Sequence, residues 1–142
     1  MERENLSSDF SFISKTSLKD YKIKYVLGKG VSGTVSLGFN KEGKKVAIKR
    51  INRDYLADED RRDWRLINLI SEVTIQSSLN HEMIPKLIEA GKDGDDNIYT
   101  IQEFAGYDTL RDFVTGQPDK RLTEYQAIRI FKQLLHVTDY MH

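Results

Sequence analysis

From Tyr21 onward the chain alternates. Ile23, Tyr25 and Leu27 are apolar positions spaced by Lys22, Lys24 and Val26, the period of two that turns one face of a strand toward a core. A glycine-rich bend separates this run from Val35, Leu37 and Phe39, and the two runs predict a twisted antiparallel hairpin. Asn40–Gly43 supply a turn into a third strand over Lys44–Ile51, with Val46 and Ile48 on one face and Ala47 and Lys49 on the other. Asn52–Arg65 is charged and grades into helical spacing through Leu66, Ile70, Val73 and Leu79, a helix that ends near Asn80 and His81 ahead of Pro85. Lys86–Gly91 and Asn97–Ala105 read as two further strands, joined by a turn on Asp93, Gly94, Asp95 and Asp96. A short helix around Leu110–Val114, a loop at Gly116–Lys120 containing Pro118, and a helix starting near Thr123 follow. Met1–Asp20 is polar and Ser-rich and predicts a flexible leader without a fold of its own.

The 142 residues suit one compact domain. Lys plus Arg and Asp plus Glu each total 22, so the net charge is zero, and no strong field steers the chain toward nucleic acid or an anionic membrane. Neither is expected as a partner. The absence of cysteine removes disulfides, thiolate metal sites and Cys nucleophiles. No apolar run reaches membrane-spanning length, and Glu2 stands where myristoylation needs Gly. The cytoplasm, or the nucleus, is the expected location.

Gly28, Gly30 and Gly33, with Val35, space out as G-x-G-x-x-G-x-V. Glycines so placed let backbone N–H groups approach a phosphate without interference from Cβ. A dinucleotide fold needs a helix directly after them, whereas Thr34–Phe39 alternates and opens with two β-branched residues, so a second strand follows. A P-loop fails because Thr34 stands where that motif needs Lys. Taken alone, the motif also fits an ordinary glycine-containing hairpin. Val46–Lys49 read V-A-I-K, and Ala47 shares a face with Lys49. A small Ala leaves room for a flat base, while an ammonium about 7 Å along the strand reaches the phosphates of the same nucleotide. A buried ammonium there needs a counterion, which Glu72 on the following helix supplies. Singly, Lys49 also reads as a snorkelling strand lysine and Glu72 as part of a solvated helix face.

In this order the glycines, V-A-I-K and the helix glutamate resemble the N-terminal part of eukaryotic-type protein kinases, over about Tyr21–His142. The resemblance implies an α+β fold: after the leader at 1–20, a kinase-like, ATP-binding N-lobe over 21–105 with a five-stranded antiparallel sheet and one main helix, then at 106–142 the hinge exit and first helices of an incomplete C-lobe. It implies ATP and Mg²⁺ as cofactors and a protein substrate whose Ser or Thr hydroxyl takes the γ-phosphate, with a loose similarity to calcium/calmodulin-regulated kinases. By position, Gly28, Lys29, Gly30 and Gly33 would cover the phosphates, Lys49 would hold them, Glu72 would partner Lys49, and Leu27, Val35 and Ala47 would sandwich adenine. Gln102 matches the gatekeeper, Glu103 and Ala105 would offer backbone groups to the adenine edge, and Thr109 and Asp112 would lie near the ribose.

The family's catalytic and Mg²⁺-binding aspartates are expected downstream of His142, so no metal ligand is assigned here. Arg62, Asp63 and Asn68 copy the catalytic-loop spacing but precede Glu72, and Asp112-Phe113-Val114 lacks the glycine of the metal-binding motif. An apolar stripe on the last helix, Ala127, Ile130, Phe131, Leu134, Leu135 and Met141, is expected to be covered by the rest of a C-lobe. The alternative is a pseudokinase or an isolated lobe serving as an interaction module, against which the intact Gly33, Lys49 and Glu72 speak.

The chain departs from the family pattern at Gln76, where a large apolar residue is usual, and at Gln102. Gln76 lies one turn beyond Glu72 and projects toward the back of the same pocket. Two buried amides there predict a mutual hydrogen bond, the other possibility being Gln76 in solvent and Gln102 on backbone.

Overall fold

The computed structural model describes residues 18–93 and 97–142, so the expected leader lies outside the described residues up to position 17. The chain divides into two compact units: one runs to Leu79 and adds Lys86–Phe104, the other joins Asn80–Pro85 to Ala105–His142.

In the first unit β1 (Lys22–Lys29), β2 (Gly33–Phe39), β3 (Lys45–Ile51), β4 (Leu87–Lys92) and β5 (Ile98–Glu103) form one antiparallel sheet, ordered β1-β2-β3-β5-β4. The β2–β3 turn forms as its sequence demands: Asn40 Oδ1 accepts the N–H groups of Glu42 and Lys44, and Gly43 takes a φ of 77° that favours glycine. Asn97 donates to Asp93 Oδ1 from both its backbone N–H and its side chain at the base of the β4–β5 turn; positions 94–96 of that turn are outside the described residues.

The alternation of β3 sorts the core. Val46 and Ile48 pack with Leu18, Tyr99 and Ile101 on one face, while Ile51 joins Ala90 and Ile98 on the other, against Leu66, Leu69 and Val73 of a helix. The helical segment begins earlier than its apolar spacing indicates. The charged stretch after Asn52 is itself helical, as α1 (Arg53–Ala57) and α2 (Glu59–Ser78), because Arg65 reaches back to donate to the Tyr55 carbonyl, lies 4.5 Å over the Tyr55 ring and pairs with Asp58 at 3.6 Å. The helix buries Leu69, which the helical spacing passed over, and leaves Ile70 only half-buried. At β1 the alternation does not bury a face: Ile23 and Tyr25 are exposed, and register shifts fall between Ile23 and Tyr25 and between Val26 and Gly28 on this edge strand.

The end of the expected leader is ordered. Leu18–Asp20 make a 3-10 turn with Leu18 buried in the core, and Tyr21 packs beside it. There the buried Glu89 carboxylate accepts hydroxyl bonds from Tyr99 at 2.6 Å and Tyr21 at 3.3 Å, which meets the requirement that a carboxylate removed from water be bonded.

The second unit holds α3 (Leu110–Thr115), a 3-10 turn at Pro118–Lys120 and α4 (Glu124–Met141). Both helices begin with capping boxes, Thr109 with Asp112 and Thr123 with Gln126. The Tyr140 hydroxyl accepts the Asn80 N–H at 2.7 Å, and the Tyr140 ring stands 5.0 Å from that of His81, which ties α4 to the Asn80–Pro85 segment. No residue of α4 is buried.

Candidate functional site

On β3, Ala47 is buried, and Lys49 two residues on shares its face. The Lys49 ammonium donates to Glu72 Oε1 at 3.1 Å. The expectation of a buried ammonium needs correction, because the Lys49 side chain is 25% exposed and that of Glu72 53%. An ion pair this open to water stabilises a fold by only about 0–1 kcal/mol. Its use is positional: it holds an ammonium at an accessible point on the same face as a small residue.

The glycines fall into two kinds. At Gly33 a Cβ would lie 2.3 Å from the Arg50 carbonyl oxygen, so the close approach of β2 to β3 alone requires glycine. At Gly28 a Cβ would meet nothing within 4 Å, and at Gly30 nothing nearer than the Gly33 oxygen at 3.8 Å. Neither residue has positive φ. Packing and backbone conformation thus set no requirement for glycine at these two positions. The bend between β1 and β2 is closed by the Gly30 N–H donating to the Gly33 carbonyl at 2.8 Å. The Asn52 N–H donates to the Ser32 carbonyl at 3.0 Å, and Asn52 Nδ2 lies 3.4 Å from the carbonyls of both Gly30 and Val31. A carbonyl drawn to one side turns the next N–H to the other, because the trans peptide holds them antiparallel. Asn52 thereby orients the loop. Asn52 stands at the N-cap of α1 without making a side-chain cap bond there, and nothing in the sequence around it signals its role.

Leu27 is half-buried and Lys29 exposed on β1, and Val35 is half-buried on β2 directly opposite Lys49. Gln102 sits on β5 opposite Ala47, hence on the face that carries Lys49. Gln76 Nε2 donates to Gln102 Oε1 at 2.8 Å, the direct amide bond that the sequence pattern predicts. The Glu103 N–H donates to the Lys86 carbonyl at 2.9 Å and its carboxylate accepts the Lys86 N–H at 3.1 Å, so the Glu103 N–H is engaged within the first unit.

In the second unit Ala105 is exposed. The Thr109 hydroxyl donates to Asp112 Oδ2 at 2.6 Å and accepts the Asp112 N–H at 3.2 Å. The residues expected near a ribose are thus engaged in starting α3. These bonds to Thr109 hold the Asp112 carboxyl below its ordinary range. Arg62, Asp63 and Asn68 stand exposed on α2, the helix that also carries Glu72.

Among the described residues no helix is long and apolar enough to cross a membrane. A family model described as the protein kinase domain matches residues 21–142. The chain is 33% identical over 122 residues to NUAK family SNF1-like kinase 2 of Rattus norvegicus, covering 86% of this chain and 18% of that protein. It is 35% identical over 135 residues to the carbon catabolite-derepressing protein kinase of Saccharomyces cerevisiae, covering 90% and 20%. It is 29% identical over 150 residues to the serine/threonine-protein kinase stk11 homolog of Dictyostelium discoideum, covering 98% and 24%. The chain therefore spans about a fifth of the length of these relatives. The calcium/calmodulin-regulated subgroup gains no support from these names.

Proposed function

From the membership of this chain in the protein kinase domain family, we propose that its first unit binds ATP for a kinase that phosphorylates Ser or Thr hydroxyls of a protein substrate. The observation that carries the reading is the accessible Lys49–Glu72 pair at 3.1 Å on the face of Ala47. The residues fit the nucleotide: the space beside Gly28 and Gly30 accepts backbone-bound phosphate, Lys49 supplies the positive charge, and Leu27, Val35 and Ala47 offer apolar surface to adenine. When bound, ATP supplies the γ-phosphoryl group. The chain's own residues act by positioning and charge: Lys49 draws the phosphates to one place, Glu72 orients the ammonium, and the glycine loop leaves the backbone free to approach.

No group of three or more metal-ligating side chains lies together among the described residues, and the proposal assigns no Mg²⁺ ligand here. Mg²⁺ enters with ATP, as the family uses it. The relatives include a protein named as a serine/threonine kinase, which favours a Ser or Thr acceptor, with cytoplasm or nucleus as the place of action. In the complete protein, Lys49→Met should abolish phosphoryl transfer while thermal stability stays near that of the unsubstituted protein, since the water-accessible Lys49–Glu72 pair contributes little to stability and Met retains the apolar stem. Near-normal turnover of an acceptor protein by Lys49→Met would refute the reading.

A further inference from the structure

We propose that Leu18 and Tyr21 are positioning residues for ATP, which clamp the sheet from the face opposite Ala47 and Lys49, an inference that rests on the ATP-binding reading above. Their segment spans the sheet. β1 and β4 are its two edge strands, and Tyr21, which leads directly into β1, donates its hydroxyl to Glu89 of β4 at 3.3 Å. Between those edges Leu18 is buried in one cluster with Val46 and Ile48 of β3 and Tyr99 and Ile101 of β5. Asp20 pairs with Lys41 of the β2–β3 turn at 3.1 Å. Leu18 and Asp20 stand ahead of position 21, where the family match begins, so these two contacts come from residues upstream of the shared domain.

Leu18 covers the seam that no turn closes. β3 and β5 pair although α2 and β4 intervene between them, and alternation turns their successive residues to opposite faces. Val46, Ile48, Tyr99 and Ile101 lie under the clamp, while Ala47, Lys49 and Gln102 face the nucleotide. The Ile48–Ile101 pair stands directly between the pairs Ala47–Gln102 and Lys49–Thr100. A close-packed interior has little room to absorb a displacement, so a shift of the covered pair moves its neighbours on the other face. With Leu18 seated and Tyr21 bonded to Glu89, the strands hold Ala47 and Lys49 at a fixed spacing from Gln102. Without them the ladder still pairs but twists more freely, and nucleotide binding must then order it.

The test separates positioning from stability. Tyr21→Phe removes one hydroxyl and leaves Glu89 its bond from Tyr99, whereas Leu18→Ala removes the side chain over the seam. In the complete protein, at a temperature where circular dichroism shows each variant folded, KM for ATP should rise about threefold in Tyr21→Phe and about tenfold in Leu18→Ala, with kcat changed by less than about twofold. A purely structural role would instead lower the folded fraction, and so lower kcat with KM unchanged. Without ATP, amide exchange along β3 and β5 should quicken in both variants while that of α2 holds. Should Leu18→Ala fail to fold, Tyr21→Phe alone carries the test. An unchanged KM for ATP in the folded variants, a loss confined to kcat, or exchange that quickens equally in α2 overturns the proposal. Lys49→Met run alongside distinguishes the failures: if it abolishes transfer while the clamp variants keep their KM, only the positioning role is lost; if it too is unaffected, the ATP-binding reading falls.

Discussion

At the scale of single residues, three glycines in one motif answer to different physics. Gly33 is fixed by the Arg50 carbonyl oxygen 2.3 Å from where its Cβ would stand, and that neighbour is backbone with no rotamer to give. Gly28→Ala, by contrast, adds a methyl group to open space. Gly33→Ala is expected to cost about 1–3 kcal/mol of folding stability as an overpacking change, and Gly28→Ala to stay within about 0.5 kcal/mol. Denaturant unfolding of the two variants measures this directly, and equal losses would contradict the distinction. The spacing G-x-G-x-x-G is visible in the sequence, but this division of labour is not, because it depends on how near β3 passes to β2. Lys49 and Glu72 were legible because a strand period and a helix each placed one charged group in a familiar order. Asn52 was not, since its partners Gly30, Val31 and Ser32 are recruited by the hairpin register rather than by any pattern around position 52.

At the scale of elements, strands and capped helices were readable, while the charged corner was not. Thr123 was readable as the start of the last helix, and α4 begins there with Thr123 as its cap. The start of the α1–α2 segment was hard to read because the first turns of α2 carry almost no apolar residues, and Arg65 folding onto Tyr55 and Asp58 is a tertiary event. The α3 cap leads to a pH dependence. The side-chain and backbone bonds of Thr109 lower the Asp112 carboxyl in the folded chain. The box therefore contributes fully above the ordinary carboxylate range and is lost as pH falls through the lowered folded value. Amide exchange protection in Leu110–Thr115, corrected for intrinsic rates, should hold between pH 7 and pH 5 and decline below about pH 4, the ordinary carboxylate value. Thr109→Ala should weaken protection at all these pH values and flatten the decline. Protection that is independent of pH in the unsubstituted chain would show that the box does not hold α3.

At the scale of the whole molecule, the short β1–β2, β2–β3 and β4–β5 connections predict adjacent antiparallel strands, and those pairs form. The β3–β5 pairing that closes the sheet is not signalled by any local turn, since α2 and β4 intervene; only the family resemblance implies it. The apolar stripe of α4 was also legible, and its surroundings give it a measurable consequence. Phe131, Leu134, Leu135 and Met141 are each more than half exposed, Ile128 is 46% exposed, and Tyr125 at the start of the helix is 69% exposed. Soluble monomers seldom present contiguous apolar patches beyond a few hundred Å², and burying such surface stabilises by about 25 cal/mol per Å². The 142-residue chain studied alone is therefore expected to self-associate at micromolar concentration and to bind a hydrophobic dye. Replacing Phe131, Leu134 and Leu135 together by Gln removes the stripe with little effect on the helix, because Gln has good helix propensity and none of the three is buried. This triple variant should run as a monomer in size-exclusion chromatography, lose dye binding and keep the far-ultraviolet helical signal. A parent chain that is already monomeric and dye-free would mean that the exposed face of α4 does not drive association.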